Sequence, residues 1–257
     1  MQKVISYIKF LLNSTNQHGI HSPFVFDLTT KCFYKKNTSS KTNALNSYRN
    51  ILLKNYNKIK VTDFGAGSKV FKSNVRAINK IAKYAGITPK RAQLLSRITE
   101  YFTPNTILEF GTSMGIATSA LHIGYPSAKI TTLEGCENTA RVAQVQFDAF
   151  SFKNISLLTG EFNKTLATLQ FIDTLDMVYF DGNHQKQATL EYFNYCLQFI
   201  NNESVFIFDD IHWSKDMESA WSIIKEHPKV KVTIDTFQWG IVFFRKEQEK
   251  EHFIIRV

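Results

Sequence analysis

Five short stretches of this chain carry residue types that can do chemistry. The first runs Leu108-Glu109-Phe110-Gly111-Thr112-Ser113-Met114-Gly115. Its glycines let a backbone turn tightly after a strand and approach a ligand closely. Glu134 follows nineteen residues after Gly115, and an acid there can accept hydrogen bonds from both hydroxyls of an adenosine ribose. Ser113 stands where a dinucleotide fingerprint has its middle glycine, so the loop, the acid and the strand order argue together rather than the loop alone. The other stretches are Gly160-Glu161-Phe162, Asp181-Gly182-Asn183-His184 and Asp209-Asp210-Ile211-His212. Adjacent carboxylates ending a buried strand are costly unless paired, hydrogen-bonded or bound to a cation. Asp181, Asp209 and Asp210 therefore form a candidate site for Mg²⁺ or Mn²⁺, with waters completing the shell. The alternative is that Asp209 caps backbone amides while Asp210 pairs with a basic group. His184 and His212 each follow one of these strand ends within three residues, where an imidazole can act as general base.

The elements that position these residues are legible from periodicity. Strands are expected at Thr106–Phe110, Lys129–Glu134, Ile155–Thr159, Met177–Asp181 and Ser204–Asp209, with helices between them. Lys231–Phe237 and Ile241–Arg245 read as a closing hairpin around Gln238-Trp239-Gly240. Five β-α repeats and a hairpin predict an α/β fold with a Rossmann-like parallel sheet, an antiparallel edge and ligands beyond the carboxyl ends of the strands. Before residue 105 the chain reads as helical: Val4–Leu12, Tyr48–Tyr56, Asn74–Tyr84 and a helix from Pro89 through Tyr101, with Asn16–Phe24 as a turn. The chain thus divides into a helical lobe, 1–88, and a catalytic domain, 89–257. A second glycine stretch, Thr62-Asp63-Phe64-Gly65-Ala66-Gly67-Ser68, lacks a following strand and acid and reads as a tight turn.

Composition narrows the class. The 257 residues are 44% hydrophobic and 21% charged, a globular balance. Apolar runs are too short for a membrane span, and the patch Val4–Leu12 lacks a cleavage site. Three scattered cysteines fit neither a disulfide framework nor a zinc site and suggest a cytoplasmic protein. The net charge of +9 is uneven: residues 1–100 hold 18 Lys and Arg against three acids. Such a lobe can attract an anionic substrate, a nucleic acid or simply an acidic partner lobe.

Residues 90–245 resemble the class I S-adenosylmethionine-dependent methyltransferases, especially small-molecule O-methyltransferases related to the catechol and caffeoyl-CoA enzymes. Ile107–Gly115, Thr132–Glu134, Asp176–His184 and Phe206–Trp213 carry the resemblance, and Asp181-Gly182-Asn183-His184 is similar to an Asp-Gly-x-His subgroup. The resemblance implies a seven-stranded sheet ending in a reversed hairpin. It implies that Glu109, Gly111, Thr112, Ser113 and Gly115 line the methionine part of S-adenosylmethionine and that Glu134 binds its ribose. Gly160, Glu161 and Phe162 would flank the adenine, and Asp181 would lie beside the reacting methyl. Asp181, His184 and His212 are the catalytic candidates. Asp210 stands where many metal-dependent relatives have Asn, and His184 where several have a catalytic Lys, so a cation is optional. The expected reaction is methyl transfer to a hydroxyl of a small molecule, neutral or anionic, and the resemblance implies a homodimer. The rival readings are a ribose or tRNA methyltransferase using the basic lobe, and a catalytically silent cofactor-binding module.

Overall fold

The computed structural model describes residues 2–65, 67, 71–169 and 174–257. The chain falls into two compact units: Met1–Tyr34 with Phe171–Val257, and Lys35–Gln170. The boundary expected at residue 88 lies within the second of these.

The first unit opens with α1 (Gln2–Asn13), which buries Phe10 and leaves Val4, Ile5, Ile8 and Leu12 exposed. The expected turn over 16–24 is a 3-10 turn at Gln17–Gly19, and its last residues begin α2 (Pro23–Leu28). Ser22 Oγ accepts from the Val25 amide at 3.4 Å, and Pro23 fills the first helical position, where no amide is needed.

The second unit begins with α3 (Ser39–Leu53). It starts nine residues before the expected Tyr48, because Thr38 caps it through the Lys41 amide. A two-stranded ribbon follows, β1 (Lys58–Lys60) and β2 (Val75–Ala77), paired antiparallel with Ile59 opposite Arg76. β2 takes the first turn of the helix expected from Asn74, leaving α4 (Ile78–Tyr84). Thr88 caps α5 (Pro89–Phe102). Three parallel β-α repeats complete the unit: β3 (Thr106–Phe110), α6 (Ile116–Gly124), β4 (Lys129–Glu134), α7 (Glu137–Ala149), β5 (Ile155–Thr159) and α8 (Phe162–Thr168). β4 pairs on either side with β3 and β5, Phe110 lying opposite Leu133 and Glu134 opposite Thr159. All three strands have the expected bounds, whereas the seven-residue α8 was too short to stand out in the periodicity.

The first unit resumes with β6 (Met177–Phe180), α9 (Lys186–Cys196), β7 (Val205–Asp209), α10 (Lys215–Glu226), β8 (Val232–Asp235), β9 (Trp239–Phe243) and β10 (Glu251–Ile254). β6 and β7 run parallel, and β9 is reversed between β7 and β8. Every residue of β6, β7 and β9 is buried, which is why they read as unbroken apolar runs. Within this unit the strands run in the order β10-β8-β9-β7-β6, parallel except for β9, and within the other β3, β4 and β5 are parallel, so each unit shows the expected mainly parallel α/β pattern. β10 lies beyond the strands expected and pairs parallel with β8. Its sequence, Glu-His-Phe-Ile, holds too little alternation to predict a strand. Among the described residues no helix is long and apolar enough to cross a membrane.

Candidate active site: two sets of strand-end carboxylates

The loop after β3 is held from below by β4. The amides of Gly111 and Thr112 both donate to the Leu133 carbonyl, at 2.9 and 3.1 Å, and the Ser113 amide donates to Glu134 Oε2 at 2.8 Å. Gly111, Ser113 and Gly115 have φ of 94°, 48° and 72°, the left-handed region that costs a side chain about 1–2 kcal/mol. Gly115 is constrained a second time. A Cβ there would lie 2.4 Å from Tyr48 Oη and 2.6 Å from Phe147, and Tyr48 Oη donates to the Met114 carbonyl at 3.0 Å. Gly115 is thus fixed by packing on α3 and α7 as well as by its backbone angle.

Glu109, in the middle of the motif, is fully buried. Its Oε2 accepts hydroxyl hydrogen bonds from Thr118 at 2.5 Å and Thr132 at 2.6 Å, and Thr112 and Thr132 share a further bond of 2.6 Å. Oε1 is buried with no protein hydrogen bond. Burial lifts the carboxyl to about 7, against the two threonine hydrogen bonds and with a push from Glu134. Thr118 and Thr132 were not foreseen as partners, although both carry hydroxyls on elements flanking the motif.

Glu134 ends β4 and accepts from Ser113 through Oε2 and from the Cys136 amide through Oε1 at 2.9 Å. Burial raises its pKa, these amides lower it, and the charge of Asp63 raises it. Each oxygen keeps a second lone pair, so the carboxylate can still accept from a ligand diol. Beside it the Gly160 amide donates to the Glu134 carbonyl at 2.9 Å, and Phe162 packs edge-on against Phe110 with centroids 5.8 Å apart. Glu161 is exposed and pairs with Lys164 at 2.8 Å. The glycine loop, Glu134 and the Gly160–Phe162 turn therefore converge in the Lys35–Gln170 unit. Asp63, Phe64 and Gly65 of the second glycine stretch lie there too, with Ala66 and Ser68 outside the described residues.

The remaining candidates belong to the other unit. After Asp181 the chain makes a three-residue turn in which the His184 amide donates to the Gly182 carbonyl at 2.9 Å. Asn183 and His184 both have positive φ, 70° and 47°, a strained conformation for residues with side chains. That strain returns the His184 ring to its own strand end, with Nε2 3.5 Å from Asp181 Oδ1. Burial disfavours the imidazolium, but Asp181, then Asp209 and Asp210, outweigh it and raise His184 to about 9. Trp213 lies alongside, ring centroids 6.1 Å apart.

At the expected cation site, Asp181 and Asp209 both approach the Tyr179 hydroxyl, at 3.5 and 3.4 Å. Asp209 Oδ1 accepts the Asp210 amide at 2.7 Å. Asp210, at φ 52°, turns toward Lys3 Nζ at 3.9 Å, and Asp181 faces His184. The capping-and-pairing alternative is the observed one. Among the described residues no three His, Cys, Asp or Glu side chains are placed to hold a metal ion.

His212 has a different setting from His184. Nε2 lies 2.8 Å from Asp235 Oδ2 and Nδ1 3.2 Å from Glu218 Oε1, with Phe237 stacked on the ring at 5.3 Å. Ser6 Oγ donates to the same Glu218 oxygen at 2.6 Å. Burial lowers the His212 pKa, but Asp235 and Glu218 together raise it. An imidazolium bonded at both nitrogens ties the loop after β7 to α10 and β8. Trp239 is core, edge-on to Tyr179 at 6.0 Å, and Phe237 is buried beneath Tyr7.

Residues 108–211 match a family described as a methyltransferase domain. Over that stretch the chain is similar to methyltransferase domains. No curated protein sequence matches it, but solved structures share the fold. An O-methyltransferase from Bacillus cereus bound to S-adenosylhomocysteine is 17% identical, with TM-score 0.56 over 82% of this chain and 92% of that one. The methyltransferase PaMTH1 of Podospora anserina, also bound to S-adenosylhomocysteine, is 13% identical, with TM-score 0.60 over 88% and 97%. The O-methyltransferase TomG of Streptomyces achromogenes, involved in tomaymycin synthesis and bound to S-adenosylmethionine, is 14% identical, with TM-score 0.57 over 86% and 95%. The methyltransferase loop fits such a cofactor. Glu109 Oε1 is a buried acceptor without a protein donor, matched to an ammonium group, and Glu134 keeps acceptor sites for a ribose diol.

Proposed function

We propose that the protein transfers a methyl group from S-adenosylmethionine to a hydroxyl of a small molecule. Glu109 answers the charge of the cofactor's amino-acid end, Glu134 holds the ribose, and Gly160 with Phe162 flanks the base. The bound sulfonium supplies an already activated methyl group. What the protein must add is alignment, exclusion of water and a place for the hydroxyl proton. The observation that carries the O-directed reading is the strained turn that sets His184 against Asp181. Neutral His184, with Nε2 toward Asp181, takes the hydroxyl proton at Nδ1, and Asp181 then stabilises the imidazolium. The oxygen–hydrogen bond breaks to His184 as the carbon–oxygen bond forms and the methyl carbon's bond to sulfur breaks, with S-adenosylhomocysteine as the leaving group. Because carboxylates raise His184 to about 9, the neutral form grows as pH rises, and turnover follows it. His212, bonded at both nitrogens, has the supporting role.

The same reading includes a homodimer in the cytoplasm. Residues 1–88, with their excess of Lys and Arg, then favour acceptors that carry negative charge. Three buried free cysteines, Cys32, Cys136 and Cys196, support a reducing setting. Calorimetric titration with S-adenosylhomocysteine is the direct test. Micromolar binding that weakens at least tenfold in Glu134→Ala is expected, since a buried diol loses its acceptor. Absence of binding to the wild-type protein would overturn the assignment.

A further inference from the structure

The second glycine stretch has no place in the reading above, yet it is fastened beside Glu134. The Thr62 amide lies 3.3 Å from Cys136 Sγ, and Asn138 Nδ2 donates to the Lys60 carbonyl at 2.8 Å. Asp63 Oδ1 accepts the Gly65 amide at 3.2 Å, while Oδ2 pairs with Arg76 at 3.5 Å. These bonds hold Phe64 over Gly135, the residue after Glu134. A Cβ at Gly135 would lie 2.6 Å from Phe64 Cδ2, so the ring rests on bare backbone. Despite that anchoring, Phe64 is 53% exposed.

We infer that Phe64 is the aromatic platform on which the cofactor's adenine stacks; this rests on the cofactor assignment made above. Three features point the same way. A ribose held by Glu134 brings its base to within a few ångströms of the next residue, and that residue, Gly135, has no side chain to offer an apolar surface. Phe64 fills the place that such a side chain would take, and its outer face is open. A purine presents a flat π face that stacks on a phenyl ring whatever its edge substituents. Asp63 acts as a positioning residue. It fixes the turn that carries Phe64, and its charge beside Glu134 favours a ligand that donates hydroxyls there, since a donor relieves two neighbouring carboxylates. On this inference the ribbon β1–β2 has a function of its own: it carries the wall of the base site.

The test compares two ligands on wild-type, Phe64→Ala, Phe64→Trp and Glu109→Gln proteins by calorimetry. S-adenosylhomocysteine has base, ribose and amino acid; methylthioadenosine lacks the amino acid. Phe64→Ala is expected to weaken both by about tenfold, the scale of one base–aromatic stack, and Phe64→Trp to restore both. Glu109→Gln is expected to weaken S-adenosylhomocysteine alone. Unchanged affinity of Phe64→Ala for both ligands, with wild type binding normally, overturns the platform and leaves the cofactor assignment standing. Failure of wild type to bind either ligand overturns the assignment itself and the platform with it. Thermal unfolding of each variant establishes that the half-exposed ring can be removed without loss of the fold. Should Phe64→Ala unfold, Phe64→Leu replaces it, with a loss of affinity for both ligands still expected and an unchanged affinity again overturning the platform.

Discussion

Glu109 and Glu134 on one unit, and Asp181, Asp209 and Asp235 on the other, all stand in or at the ends of strands, but their partners differ in kind. The two glutamates are held by amides and hydroxyls: Ser113 and Cys136 for Glu134, Thr118 and Thr132 for Glu109. Such donors fix a carboxylate in place without releasing a proton in the physiological range. Asp181 and Asp235 instead face imidazoles, His184 and His212, which exchange protons between pH 5 and 9 once carboxylates shift them. The first arrangement suits holding a ligand of fixed charge. The second suits moving a proton, where one ring nitrogen is left for a substrate, or fastening three elements, where neither is.

The largest effect should come from breaking the proton-moving side. His184→Ala is expected to lower turnover at least a hundredfold. The wild-type rate should climb with pH through a midpoint near 9, and the variant's rate should lose that climb; an unchanged pH profile would remove His184 from the reaction. The holding side breaks differently. Gly115→Ala sets a methyl group against Tyr48 and Phe147 at a positive φ and should cost about 3 kcal/mol of stability, read from denaturant midpoints. A cost under about 1 kcal/mol would show that the loop yields. The smallest effect sharpens the contrast within the histidines. His212 has a folded pKa raised above its unfolded value, so its contribution is full below about pH 6.5 and is lost as pH rises through the folded pKa. The pH 6 to pH 9 decline in urea midpoint should therefore be shallower in His212→Gln than in wild type, and an equal decline would show that Glu218 and Asp235 do not hold the charged ring.

The sequence was most informative where a strand is bounded by turn residues, whether or not its burial is uniform. β3, β4 and β5 have their expected bounds because such boundaries are a local signal. β10 and the ribbon β1–β2 escaped, being only three or four residues long. The loop and acid of the candidate cofactor site stood out by spacing, since Gly111, Gly115 and Glu134 lie within two β-α repeats, whereas Glu109 entered through the family resemblance. The histidine side was legible only in part. Nothing local in Asp209-Asp210 distinguishes a cation site from a capped turn; the choice depends on Lys3 and Tyr179, one of them at the other end of the chain. Phe64 was passed over for the same reason. Its stretch reads locally as a tight turn, whereas its position over Gly135 comes from the pairing of β1 with β2.

The way the first unit is assembled has a consequence for its birth on the ribosome. Thr15 hydrogen-bonds to Ile254, 239 residues later, and Arg256 reaches back to Ser14 and Leu11. At about 5–20 residues per second, the chain segment around α1 and α2 emerges roughly 10–50 s before the partners that complete its unit. The Lys35–Gln170 unit, contiguous in sequence, is free to fold in that interval. Synthesis therefore delivers the cofactor-holding half first and the proton-handling half last.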